Sequence, residues 1–109
     1  MKPTRWYSNQ QEKKIAQVVN GKKVSNSGAT KFNKGDVVTD SWLLEAKTKT
    51  KESTSFTIKR EWIEKNKEEA FAMGKSYSAL VLDFGDGEQH YLISEKLFKQ
   101  LMESLENVD

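Results

Sequence analysis

The sequence predicts a single α/β domain: one central mixed β-sheet flanked by helices, in the order α-β-β-β-α-β-β-α. Three observations predict it. The 109 residues suffice for one modest core and no more, so residues 1–109 read as one domain. Helix-period and strand-period stretches alternate along the chain, the pattern of helices packed on a sheet. One stretch, YSALVLDF at 77–84, is too continuously apolar for a strand with a wet face and reads as a strand covered on both sides.

The elements follow in order. Residues 9–19, NQQEKKIAQVV, form a helix because Glu12, Ile15, Ala16 and Val19 fall at i, i+3, i+4 and i+7 and share one face. Asn20-Gly21 ends it with a pair that tolerates the left-handed conformation. Residues 22–35 contain SNSGATKFNKG and read as a turn-rich loop. Three strands are expected next, over 36–39, 42–47 and 54–58, with Asp40-Ser41 as the two-residue turn between the first two. Residues 60–73 form a helix with Ile63, Ala70 and Met73 on its apolar stripe, stopped by Gly74. The GDG at 85–87 turns the apolar strand into a strand over 88–94. Ser94 caps a last helix in which Leu97, Phe98, Leu101, Met102 and Leu105 predict a continuous buried face.

Composition narrows the function. The chain is 31% charged, yet three Trp, five Phe and three Tyr supply bulky core material, which argues against general disorder. With no Cys there is no disulfide, thiolate metal site or cysteine nucleophile, which fits a reducing cytoplasm. No apolar run approaches a membrane span and the N-terminus lacks a signal-peptide core, so a cytoplasmic protein with no membrane partner is expected. No zinc spacing, P-loop, GxGxxG or Ser-His-Asp set is present.

The net charge of +2 hides an asymmetry. Residues 1–60 carry 13 Lys or Arg against five acids, a surplus of +8, and residues 61–109 carry five Lys against 11 acids, a deficit of −6. A basic half is the electrostatic footprint of a polyanion partner, or else solubilising surface charge.

The chemistry concentrates in KGDVVTDSWLLEAK, residues 34–47. With Asp40-Ser41 as the turn, Thr39 faces Trp42, Val38 faces Leu43, Val37 faces Leu44 and Asp36 faces Glu45. Alternation puts Glu45 and Lys47 on one side of the strand and Leu44 and Ala46 on the other. Directly opposed carboxylates repel, and a divalent cation bound by hard oxygen ligands is the best reason to hold them together. Lys47, one pleat further on, suits holding a water or steadying charge on a phosphate. The competing reading is a solvent-exposed sheet face with Lys47 as a salt-bridge partner, which a register slip of one residue favours.

GDV followed by LLEAK resembles the active-site core of the PD-(D/E)XK nuclease superfamily, an acid beginning one strand and E-x-K on the next, with Gly35 where the superfamily's name has Pro. The succession around it is similar to archaeal-type Holliday junction resolvases and their phage relatives: an acid-bearing helix (QQEKKIAQVV), the small-residue loop SNSGA, the acid, the E-A-K, a polar strand and the helix IKREWIEKNKEEAFAMG. The resemblance covers nearly the whole chain. It implies a restriction-endonuclease-like fold and an Mg2+-dependent endonuclease, with Mn2+ as a substitute ion, that cuts branched DNA as a homodimer. Asp36, Glu45, the backbone carbonyl of Ala46 and Glu12 are then the metal ligands, Lys47 the catalytic lysine and Ser27 an active-site serine. Other readings stay open: another nuclease of the superfamily, restriction-like or nicking, or a non-catalytic DNA-binding module.

The individual residues keep their own alternatives. Asn9 and Glu12 have the spacing of a capping box, although an acid on the core-facing stripe favours a site role. Ser27 serves equally as a turn residue. Trp6 and Tyr7 beside Arg5 either stack on nucleic acid or anchor the first helix. His90, a lone histidine within a strand, reads as structural rather than catalytic and is assigned no role. Arg5, Lys13, Lys14, Lys22, Lys23, Lys31, Lys34, Lys49 and Lys51 flank the site in sequence and are the expected phosphate contacts, supplying affinity without reading bases.

Overall fold

The computed structural model describes residues 2–24 and 36–107. Its elements are α1 (Thr4–Val19), β1 (Lys22–Lys23), β2 (Asp36–Val38), β3 (Trp42–Thr48), α2 (Arg60–Ala72), β4 (Tyr77–Asp83), β5 (Gln89–Leu92) and α3 (Glu95–Glu106). The chain is a compact α/β domain, and the five strands form one mixed sheet in the order β1-β2-β3-β4-β5. All neighbours are antiparallel except β3 and β4, whose parallel pairing runs from Trp42↔Tyr77 to Thr48↔Asp83. A parallel pair needs a crossover, and α2 supplies it.

Strand alternation divides the sheet's residues between two faces. On one face Val37, Leu44, Ala79 and Val81 pack with Ile15 of α1 into the core cluster. The opposite face carries Asp36, Leu43, Glu45, Lys47 and Leu80, given the register Asp36↔Glu45↔Leu80. β4 is buried from Ala79 to Asp83, as its unbroken apolar run predicts.

Three expectations need correction. Residues 54–58 form no strand: β3 is already hydrogen-bonded on both sides, to β2 and β4, so no ladder is open beside it. The segment folds locally instead. The Ser53 hydroxyl donates to the Ser55 carbonyl (2.9 Å) and accepts from the Ser55 N–H (3.2 Å), and Phe56 packs edge-on against Phe84. The element order survives because β1, at the start of the segment expected from sequence to be a loop, restores the count of three strands before α2; Lys22 and Lys23 pair with Val38 and Val37.

The first helix begins at Thr4, not residue 9, with Pro3 as an extended N-cap. Asn9 therefore lies inside the helix and the capping-box explanation of Glu12 falls away. Asn20 does end it, in the left-handed conformation with φ 54° and its N–H on the Ala16 carbonyl.

The last helix is capped as expected, Ser94 Oγ accepting from the Leu97 N–H at 3.1 Å. Its apolar face is not buried. Leu97 alone is covered, whereas Phe98 is 57% exposed, Leu101 and Met102 are each 41% and Leu105 is 78%. Periodicity fixes which residues share a helix face, but not what lies against that face.

The turn between β4 and β5 sets the sheet's far end. Gly85 has φ 96°, and a Cβ there would stand 2.7 Å from backbone atoms of Lys51 and Glu52. Only glycine meets both demands. No described helix is long and apolar enough to cross a membrane.

Candidate metal centre

The hairpin has the register the sequence predicts: Asp36↔Glu45, Val37↔Leu44 and Val38↔Leu43. Thr39 locks the turn. Its N–H donates to the Trp42 carbonyl at 3.1 Å, while its hydroxyl accepts from the N–H groups of Trp42 (3.0 Å) and Ser41 (3.3 Å). Lys75 Nζ closes the outside by donating to the Thr39 carbonyl at 2.7 Å. This fixed register makes Asp36 and Glu45 direct neighbours.

Their environment excludes a solvent-facing sheet. Asp36 is fully buried and Glu45 is 6% exposed. A third carboxylate reaches them from α2: Glu69 brings one oxygen into a group with one oxygen each of Asp36 and Glu45, all within 4.8 Å of one another. Both Asp36 oxygens, Glu45 Oε1 and Glu69 Oε2 are buried without a hydrogen-bond partner. Buried polar atoms are satisfied in the great majority of cases, so three converging carboxylates that carry four orphaned oxygens between them are the chemical outline of a cation site.

Electrostatics point the same way. The Asp36 carboxyl is pushed up to about 8, first by burial and then by the charges of Glu45, Glu69 and Glu12, against a smaller opposing pull from Lys47. Glu69 is raised by burial and by Glu45. Burial and like charge together favour keeping a proton on the cluster, and a bound cation would displace it.

Lys47 lies at the edge of the carboxylates. Its Nζ is 3.2 Å from Glu45 Oε2 and 4.5 Å from the centre of the Trp62 ring on α2. An open pocket of about 580 Å3 lined by Glu45, Lys47, Trp62, Lys65 and Glu68 gives access from solvent. Glu12 is 4% exposed on α1 and near enough to raise Asp36. Ala46 turns its side chain to the opposite face, against the α1 core. Ser27 lies outside the described residues, as do Lys31 and Lys34.

Sequence reasoning missed Glu69, Trp62 and Gln11. Glu69 sits in the charged run EKNKEEA, yet Asn66, Glu69, Ala70 and Met73 follow the i, i+3, i+4, i+7 spacing of an inward stripe, and that signal was available. Gln11 is 2% exposed, and its Nε2 donates to the carbonyls of Lys47 (3.0 Å) and Val81 (3.1 Å) and to Gln89 Oε1 (2.9 Å). It ties α1 to the backbone of the residue carrying the site's cation. His90 is exposed on β5 and meets Phe84 edge-on, with 5.8 Å between ring centres.

The expected phosphate contacts are mostly exposed: Arg5, Lys13 and Lys14 on α1, Lys22 and Lys23 on β1, and Lys51. Lys14 also donates to the Gly87 carbonyl at 3.3 Å. Lys49 is half-buried, its Nζ 5.2 Å from the Phe56 ring centre. Compared with family models, with curated proteins and with solved structures, the chain finds no match in any of the three.

Proposed function

We propose that this chain is a divalent-metal-dependent endonuclease that hydrolyses DNA phosphodiesters, with branched, four-way DNA as its preferred substrate. The observation that carries the reading is the convergence of Asp36, Glu45 and Glu69 within 4.8 Å, with four of their oxygens unpartnered, beside the ammonium of Lys47. All-oxygen donors of this charge fit Mg2+ or Mn2+ better than a softer ion. Asp36, Glu45 and Glu69 would hold the ion, with Glu12 close by. Such an ion polarises a phosphoryl oxygen and lowers the pKa of bound water.

The remaining work belongs to the chain's own groups. Lys47, steadied between Glu45 and Trp62, offers its positive charge to phosphate oxygens as negative charge develops on them. Asp36 gives up its proton when the site is loaded. The exposed cations of α1 and β1 attract the DNA backbone, giving binding that weakens steeply with salt and reads few bases. The choice of branched DNA rests on the resemblance of the GDV…LLEAK core and its surroundings to junction resolvases.

The test is incubation of the purified chain with labelled four-way junction, flap and linear duplex DNA, with Mg2+, with Mn2+ and with chelator. Metal-dependent cutting of the junction above the other two is the expected result. Cutting of flap or duplex in preference leaves a nuclease of another specificity. Absence of cutting on all three, with either metal, overturns the reading, and DNA binding that persists there leaves a non-catalytic binding module.

A further inference from the structure

We propose that the groove between α2, β5 and the start of α3 is a binding site for a small amphipathic carboxylate, an aliphatic acid of medium chain length. The groove has a volume of about 450 Å3, within the usual range of small-molecule sites. Its floor is apolar, built from Ile63, Ala70, Leu80, Leu92 and Leu97.

Charge selects the head of the ligand. Residues 61–109 carry five Lys against 11 acids, yet three of those lysines, Lys67, Lys75 and Lys96, line this one groove, and among the described residues no carboxylate does. Lys75 is already occupied, its Nζ donating to the Thr39 carbonyl at 2.7 Å. Lys67 and Lys96 are exposed and form no ion pair among the described residues. Two unpaired ammonium groups above an apolar floor favour an anion with an apolar body and reject a cation.

A buried donor supplies the second observation. Asn66 is 3% exposed and lines the groove, and its Nδ2 is buried without an acceptor. An orphaned amide donor is costly, and a ligand oxygen would relieve it. A carboxylate meets every demand together: one oxygen accepts from Asn66, the charge answers Lys67 and Lys96, and the chain covers the floor. Inorganic phosphate would leave the floor uncovered, and a neutral alcohol would leave the lysines unanswered. The inference does not rest on the nuclease reading, since Asp36, Glu45, Lys47 and Glu69 all stand outside the groove.

NMR titration of the full chain with octanoate, octanol and acetate tests it. Octanoate is expected to shift the amide signals of Asn66, Ala70, Leu92 and Leu97 to saturation. It is expected to bind about tenfold or more tighter than octanol, because only its charged head gains from the lysines and strengthens the bond from Asn66. Acetate, the head without the chain, is expected not to saturate. Lys67→Gln with Lys96→Gln is expected to bring octanoate close to octanol, and both lysines are exposed, so this variant keeps the fold. Asn66→Leu is expected to weaken octanoate by about tenfold while its urea stability stays at or above the parental level, since an unpaired buried donor gives way to an apolar group of similar size. Four results each overturn the proposal. They are octanoate that binds no tighter than octanol, shifts confined to Phe98 and Leu105 on the outer face of α3, an Asn66→Leu chain with parental octanoate affinity, and an Asn66→Leu chain less stable than the parent.

Discussion

Asp36 and Glu45 stand directly opposite each other on β2 and β3, both buried, and neither Asp36 oxygen accepts a hydrogen bond. A folded chain does not ordinarily hold two opposed acids without a donor, because burial and like charge both act against it. The Thr39 turn and the parallel β3–β4 ladder impose the register, and α2 then adds Glu69 to the pair instead of a counter-charge. The sheet thus supports a locally unfavourable arrangement that a cation, or a proton, relieves.

The first prediction concerns pH. Asp36 titrates near 3.8 when unfolded and near 8 when folded. Between those values the folded chain holds a proton that the unfolded chain has released, so stability falls as pH rises, at about 1.4 kcal/mol per unit at most, and levels off above the folded value. Glu69, also raised, adds in the same direction. Urea melts in chelator from about pH 5 to about pH 9 are expected to lose a few kcal/mol across the window. Asp36→Asn is expected to flatten that slope. A parent whose stability rises with pH there contradicts the electrostatics of the site.

Metal binding should reverse the loss. Near pH 8, Mg2+ or Mn2+ at about 100 times its dissociation constant is expected to stabilise the chain by about 2.7 kcal/mol, read as a rise in Tm. Calorimetric titration in two buffers of different ionisation enthalpy is expected to show proton release, because the Asp36 proton leaves as the ion enters. Asp36→Asn should abolish the Tm response and Glu69→Gln should weaken affinity by roughly tenfold or more. A Glu69→Gln chain that binds as tightly as the parent removes Glu69 from the ligand set.

The elements carrying strong local signals were legible in the sequence, and those decided by tertiary partners were not. The hairpin could be read to the residue because Asp40-Ser41 and the flanking apolar pairs agree on one register. β1 could not be foreseen: Lys22-Lys23 has no strand pattern of its own and becomes a strand by pairing with Val37 and Val38. The reverse holds for residues 54–58, whose strand-like composition follows a strand already paired on both sides. In the site, Asp36 and Glu45 follow from the turn, whereas Glu69 arrives from α2: the helical spacing marks it as inward-facing but does not say which strand residues it meets.

The role of Lys47 separates chemistry from binding. Lys47→Ala is expected to lower cleavage by about 100-fold or more while leaving DNA affinity within about twofold, because one charge at the reacting phosphate acts in the transition state. Its removal also leaves Glu45 without its ion-pair partner, so metal affinity must be measured alongside. If cleavage falls only in step with metal binding, Lys47 holds the site together and does not act on the phosphate.

Gln11 supplies the test of how the fold supports the site. Its Nε2 reaches the backbone carbonyls of Lys47 and Val81 and the side chain of Gln89, which in turn donates to Asp83 Oδ2 at 2.7 Å. Asp83 also accepts from the N–H groups of Gly85 and Gly87, so one partly buried network links α1, β3, β4 and the β4–β5 turn. Gln11→Leu keeps the bulk but removes the donor, leaving buried acceptors unpaired, and is expected to cost about 1–3 kcal/mol in a urea melt. Because Gln11 touches no carboxylate of the metal cluster, the Tm rise on adding Mg2+ is expected to persist in this variant. Cleavage, if it follows the position of Lys47, should fall by more than the loss of folded protein accounts for. A variant with parental stability shows that water replaces the lost donor. One that loses the metal response shows that α1 positions the carboxylates as well as the lysine.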